Sequence, residues 1–246
     1  MNMLTMLAIL TVLYFVTLLL ICIYRYKINV KIGNLIFAIT DFVFFMYWNI
    51  GMFQKGWLDT GLQTFENISP LCFTLIPLTY IMSDKIKEHC FSALAFLNFG
   101  MLAALYISPQ YEYLFNYEYD VTFLYAGEMV CHMLCSLYGI YLVLTGQIKA
   151  DFEHWLQSII FILSIVSFCV MLNYVFHKSY FGMDPYGHYA IYMIDIFDTF
   201  EATLLAYYLG IILVLTIGLQ VCAGLERLSR RKERHVNLPK LLQQRK

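Results

Sequence analysis

The stretch VTFLYAGEMVCHMLCSLYGIYLVLT, Val121 to Thr145, decides the fold. It outlasts the about 20 residues that a helix needs to cross a hydrocarbon core of about 30 Å. A helix is also the form that satisfies every backbone amide within one segment, as lipid demands. Glu128 and His132 interrupt the run near its middle. With Cys131, Cys135 and Gly139 they fall on one helix face, at i, i+3, i+4, i+7 and i+11. An acid and an imidazole one turn apart on such a helix are either partners for each other or part of a site.

Working outward, the composition agrees with a membrane chain. Of the 246 residues, 61% are hydrophobic and 13% charged, whereas a soluble domain is about half apolar and about a quarter charged. The formal net charge is -1, so nothing marks a nucleic-acid partner. Cys22, Cys72, Cys90, Cys131, Cys135, Cys169 and Cys222 lie in or beside apolar runs. A secreted disulfide scaffold places its cysteines in polar loops instead.

Apolar runs recur along the chain at Leu4–Tyr24, Gly33–Phe53, Asn67–Ser83, Cys90–Ile107, Val121–Thr145, Trp155–Phe176 and Ile196–Cys222. They predict an all-α polytopic bundle of seven transmembrane helices. The third run is short and holds Pro70 and Pro77. If it is re-entrant, six helices span. The first run has no basic residue before it and no small-residue cleavage site after it, and reads as a retained helix. Residues 1–223 form one transmembrane domain, and residues 224–246 form a basic tail.

Lys and Arg set the orientation. Arg25, Lys27 and Lys31 mark the first connection, Lys85 and Lys87 the third, and Lys149 the fifth. The second and sixth connections carry one lysine each, Lys55 and Lys178, and the fourth none. This alternation predicts the N-terminus outside and the C-terminal tail in the cytoplasm. The tail's charge suits anionic lipid headgroups.

At about 1.5 Å per helical residue, this topology places Asn49, Cys72, Glu128, His132, Asn173 and His177 in the outer half of the bilayer. Asp195, Asp198 and Glu201 open the last helix, where acids also favour a first turn. Asp41 and Asn98 lie deeper. Ionisable residues within the membrane are costly and face a bundle interior. Groups on five helices at one depth predict one shared cavity opening outward. Cys131 and Cys135 read as small packing residues. No tight H-x-x-x-H spacing is present, so neither a metal nor another cofactor is expected.

Three stretches resemble the YwaF-type integral membrane proteins. They are NISPLCFTLIPL (Asn67 to Leu78), ALYISPQYEYLF (Ala104 to Phe115) and CHMLCSLYGIYLVLTG (Cys131 to Gly146). A looser match follows in MLNYVFHKSYFGMDPYG. That family is related to a eukaryotic transmembrane acyltransferase of ether phospholipids and to the androgen-induced membrane hydrolases. The resemblance implies a nucleophilic cysteine at Cys72 and a catalytic histidine at His132. Phe73 stands where relatives carry a polar residue. A thiolate made by a nearby imidazole is a sound acyl-transfer nucleophile.

Two functions are therefore expected as alternatives. One is a membrane lipid acyltransferase or acyl-lipid hydrolase using Cys72 and His132, with the Glu128 carboxylate fixing the imidazole tautomer. The other is a non-enzymatic binding or transport protein for a small polar ligand, contacted by Asn49, Asn173, His177, Asp198 and Glu201 beside Glu128 and His132. Membrane lipids are the expected partners, and a homo-oligomer is compatible with either function. Richness in Ile, Phe, Tyr and Asn points to a multi-pass protein of a bacterial cytoplasmic membrane.

Overall fold

The computed structural model describes residues 3–54, 68–107, 119–178, 180–183 and 199–243. Among these the chain is entirely helical. Its helices are α1 (Met3–Tyr24), α2 (Val30–Gln54), α3 (Ile68–Leu78), α4 (Asp84–Ile107), α5 (Tyr119–Leu144), α6 (Phe152–Phe176) and α7 (Phe200–Gln243), with a short 3-10 turn at Tyr180–Gly182. Six of them are long and apolar enough to cross a membrane. The protein is a multi-pass membrane helix bundle.

The exception is α3. It has 11 residues, about 16 Å of rise, which is half a hydrocarbon core. Pro70 lies in its first turn, where the missing N–H costs little, and Pro77 sits near its end. The turn that follows is fixed by the Tyr80 hydroxyl, which donates to the Lys31 carbonyl at the start of α2 (2.8 Å). At the same end of the bundle, Asn34 Nδ2 donates to Gln147 Oε1 after α5 (2.8 Å). The α1–α2, α3–α4 and α5–α6 connections thus share one end, and α3 rises from it only to mid-bundle.

The hub is α5, which packs against α1, α2, α3, α4 and α7. Close approach is carried by glycine, as in other membrane bundles. A Cβ on Gly139 would collide with the Leu94 carbonyl of α4, and one on Gly218 of α7 would overlap the Phe96 carbonyl. Polar seams fix the register. Tyr14 meets Ser136 (3.0 Å) between α1 and α5, and Trp155 Nε1 donates to Thr216 (3.2 Å) between α6 and α7. Asp41 of α2 is fully buried, and neither carboxylate oxygen has a hydrogen-bond partner among the described residues. All seven cysteines are free.

The last helix extends past its membrane span. The span ends near Arg227, and α7 continues as one helix of 44 residues to Gln243.

Candidate functional site at the α3–α5 seam

The seam between α3 and α5 brings His132 to a residue that the sequence reading passed over. His132 Nε2 lies 3.0 Å from Ser69 Oγ, and Nδ1 lies 3.0 Å from the main-chain carbonyl oxygen of Glu128. A carbonyl only accepts, so Nδ1 carries the proton. In the neutral ring Nε2 is then an acceptor, and the Ser69 hydroxyl donates to it. The imidazole is 6% exposed and borders an aromatic wall: the Phe73 ring stands edge-on to it at 4.9 Å between centroids. Phe45 and Trp48 of α2 back Phe73.

One turn further along the same two helices lies a second layer. Cys72 and Cys135 are both fully buried there. The spacing explains the layering. Ser69 and Cys72 are i and i+3 on α3, and His132 and Cys135 are i and i+3 on α5. The two helices run the same way, so both pairs carry one sequence offset, 63 residues.

These contacts correct two expectations. The sequence places Cys72, counted from Asn67, in the outer half of the bilayer. Because α3 starts at mid-bundle, Ser69 is level with His132, and Cys72 lies one turn deeper. Second, Glu128 orients His132 through its backbone, since the helix geometry delivers the i−4 carbonyl to Nδ1. The carboxylate is not the group at that nitrogen.

The remaining described residues are each exposed or engaged locally. Asn173 is buried, but its side chain clamps the 3-10 turn: Nδ2 donates to the Tyr180 and Met183 carbonyls, and Oδ1 accepts from the Tyr180 N–H. That clamp holds Phe181 at φ 57°, a left-handed value that a phenylalanine adopts at a cost. His177 is exposed and ends α6 in a left-handed cap. Glu201 is exposed in the first turn of α7, the place that suits an acid beside a helix N-terminus. Asn49 Nδ2 donates to the Phe45 carbonyl of its own helix (2.8 Å). Asp195 and Asp198 lie outside the described residues.

The arrangement is a hydroxyl hydrogen-bonded to a base whose tautomer a third group fixes, the geometry that activates a serine nucleophile. Ser69 was legible only through register. It shares the quoted α3 stretch with Cys72, and an equal offset on the two parallel helices pairs it with His132. No family model, no curated protein and no solved structure matches the chain.

Proposed function

We propose that the protein is a membrane acyl-lipid hydrolase or acyltransferase whose nucleophile is Ser69 and whose base is His132. The hydrogen bond from Ser69 to His132 Nε2, with Nδ1–H held by the Glu128 carbonyl, carries this reading. The resemblance to YwaF-type proteins agrees with it in reaction class and in the histidine, and differs in the nucleophile. Ser69 Oγ attacks the ester carbonyl as its proton passes to Nε2. The C–O bond to the lipid alcohol breaks, and that alcohol leaves with the proton. Water or an acceptor hydroxyl then attacks the acyl carbon as its proton passes to Nε2; the bond to Ser69 Oγ breaks, and Nε2 returns the proton to Oγ, which restores the serine and the neutral imidazole. A main-chain carbonyl stabilises the imidazolium less than a carboxylate does, because it offers a dipole and no full charge.

The test is covalent labelling with an alkyl fluorophosphonate in membranes containing the full chain. Labelling should map to Ser69, vanish in Ser69→Ala and His132→Ala, and persist in Cys72→Ala. An adduct on Cys72, or equal labelling in all three variants, overturns this assignment. In this reading Met1 faces outward and Lys246 faces the cytoplasm of a bacterial cell. Single cysteines at Gln54 and Gln243, treated in intact cells with an impermeant maleimide, should label at Gln54 only.

A second reading is favoured by Asp41. A buried carboxyl on α2 with no hydrogen-bond partner among the described residues suits a binding or transport protein for a small polar ligand. Retained Ser69 labelling with loss of ligand uptake in Asp41→Asn would favour that alternative.

A further inference from the structure

On the far side of α3 from the dyad, a groove of about 710 Å³ runs between α3, α4 and α6. That volume is in the range of ligand sites. Its walls are Leu71 and Leu75 of α3, Ile86 of α4, and Ile160, Ile165 and Phe168 of α6. Four polar side chains line it, Thr74, His89, Gln157 and Ser164, and two of them present buried atoms without a hydrogen-bond partner among the described residues: Nδ1 of His89 on α4 and Oε1 of Gln157 on α6. A buried polar atom left unpaired costs free energy comparable to a lost hydrogen bond. Both residues lie near the ends of their helices that the Glu88–His154 contact (3.7 Å) brings together. The groove is therefore amphipathic along its length, apolar over most of it and polar at one end.

One helical turn before these residues, on the same helix faces, stand Lys85 and Glu153, both exposed. Opposite charges thus flank the polar end, with a lysine on the His89 helix and a glutamate on the Gln157 helix. Glu88 and Asp151 are both engaged at that end with His154, and Lys87 turns away over Phe91.

We propose that this groove binds a phospholipid whose headgroup carries both a phosphate and an N–H-bearing ammonium, the ethanolamine class. An acyl chain lies along the apolar walls. The phosphate sits toward Lys85 and takes a hydrogen bond from His89 Nδ1–H. The ammonium sits toward Glu153 and donates to Gln157 Oε1. A choline headgroup keeps both charges but has no N–H, and leaves Oε1 unpaired. A glycerol headgroup offers hydroxyl donors but no positive charge for Glu153. Hydrocarbon walls that border the bilayer, an acceptor lacking a donor and a flanking charge pair together select this headgroup. The proposal is independent of the chemistry at Ser69.

The experiment uses the full chain in detergent, titrated with dioleoyl phosphatidylethanolamine, phosphatidylcholine or phosphatidylglycerol and followed by native mass spectrometry. At equal concentration the ethanolamine lipid should give about fivefold more one-to-one adduct than either other lipid, the effect of one hydrogen bond. Gln157→Leu should bring the ratio to choline near one, and Gln157→Glu should preserve it. Ser164→Trp, which fills the middle of the groove, should remove the preferred adduct altogether. Fluorophosphonate labelling at Ser69 should be unchanged in all three, which separates failure here from failure of the proposed activity. Equal adducts from the ethanolamine and choline lipids, a preference for the glycerol lipid, or an undiminished preference in Gln157→Leu would overturn the proposal.

Discussion

Helices α1 and α5 both cross the membrane, and they solve opposite problems. In Thr5–Tyr24, 17% of the apolar window is buried inside the protein, and in Ala126–Leu144 the share is 83%. The more uniformly apolar helix is the more exposed one. Val12, Leu13, Phe15 and Leu19 of α1 face outward, and a stripe at Met6, Tyr14 and Ile21 faces the bundle. Helix α5 holds Glu128, His132, Ser136 and four tyrosines, and sits at the centre. In lipid, apolar surface gains nothing by hiding from hydrocarbon, so burial goes to small residues that permit contact and to polar residues that need partners. A buried polar residue here therefore signals placement first. Function has to be argued from what it touches.

The sharpest break of this comparison would come at the centre of α5. His132→Ala and Ser69→Ala should each reduce acyl transfer by about a thousandfold or more, and the double variant should be no worse than either alone, because the two act as a unit. Rates in membranes containing equal amounts of each variant decide it. An additive double variant would show that the pair does not share a step.

Packing at the hub comes next. Gly218→Leu should lower stability by roughly 2 kcal/mol or more, since its side chain must displace the Phe96 backbone of α4. Thermal unfolding in detergent should show a clear drop in midpoint. An unchanged midpoint would mean that α4 and α7 do not approach this closely.

The thiol layer should respond less. Cys72→Ala should cost roughly 1 kcal/mol of stability and leave acyl transfer within about threefold of the parent. Loss of turnover with the fold intact would return the nucleophile to Cys72 and sharpen the contrast between the two seam layers the other way.

The smallest effect belongs to α1. Leu13 is 55% exposed, and Leu13→Ala should shift stability by no more than about 0.5 kcal/mol. A larger loss would reveal a partner on the face of α1 that the single chain leaves open to lipid.

Much of the architecture was legible in advance because helix spans are set by length and apolarity alone. The runs around Val121–Thr145 and Trp155–Phe176 became α5 and α6, and the weak third run became the half-length α3. The site was harder to read. Asn173 looked like a ligand contact on depth, yet a side-chain amide can clamp a turn seven residues on as readily as it can line a cavity. Glu128 was placed beside His132 correctly, but the i−4 carbonyl is always present in a helix and reached Nδ1 in place of the carboxylate. Cys72 and Ser69 are three residues apart, and only the level at which α3 begins decides which of them meets the histidine.

The sequence by itself determined that this chain is a helical membrane bundle, because lipid leaves backbone amides one local solution and the side-chain count for crossing is fixed by bilayer thickness. It also determined that Glu128 and His132 share a face, because helical period is local. Which residues meet across helices was decided only by tertiary structure. Apolar side chains facing lipid and apolar side chains facing protein look alike in sequence, so register between α3 and α5 rests on the fit of small residues and on partners that only folding supplies.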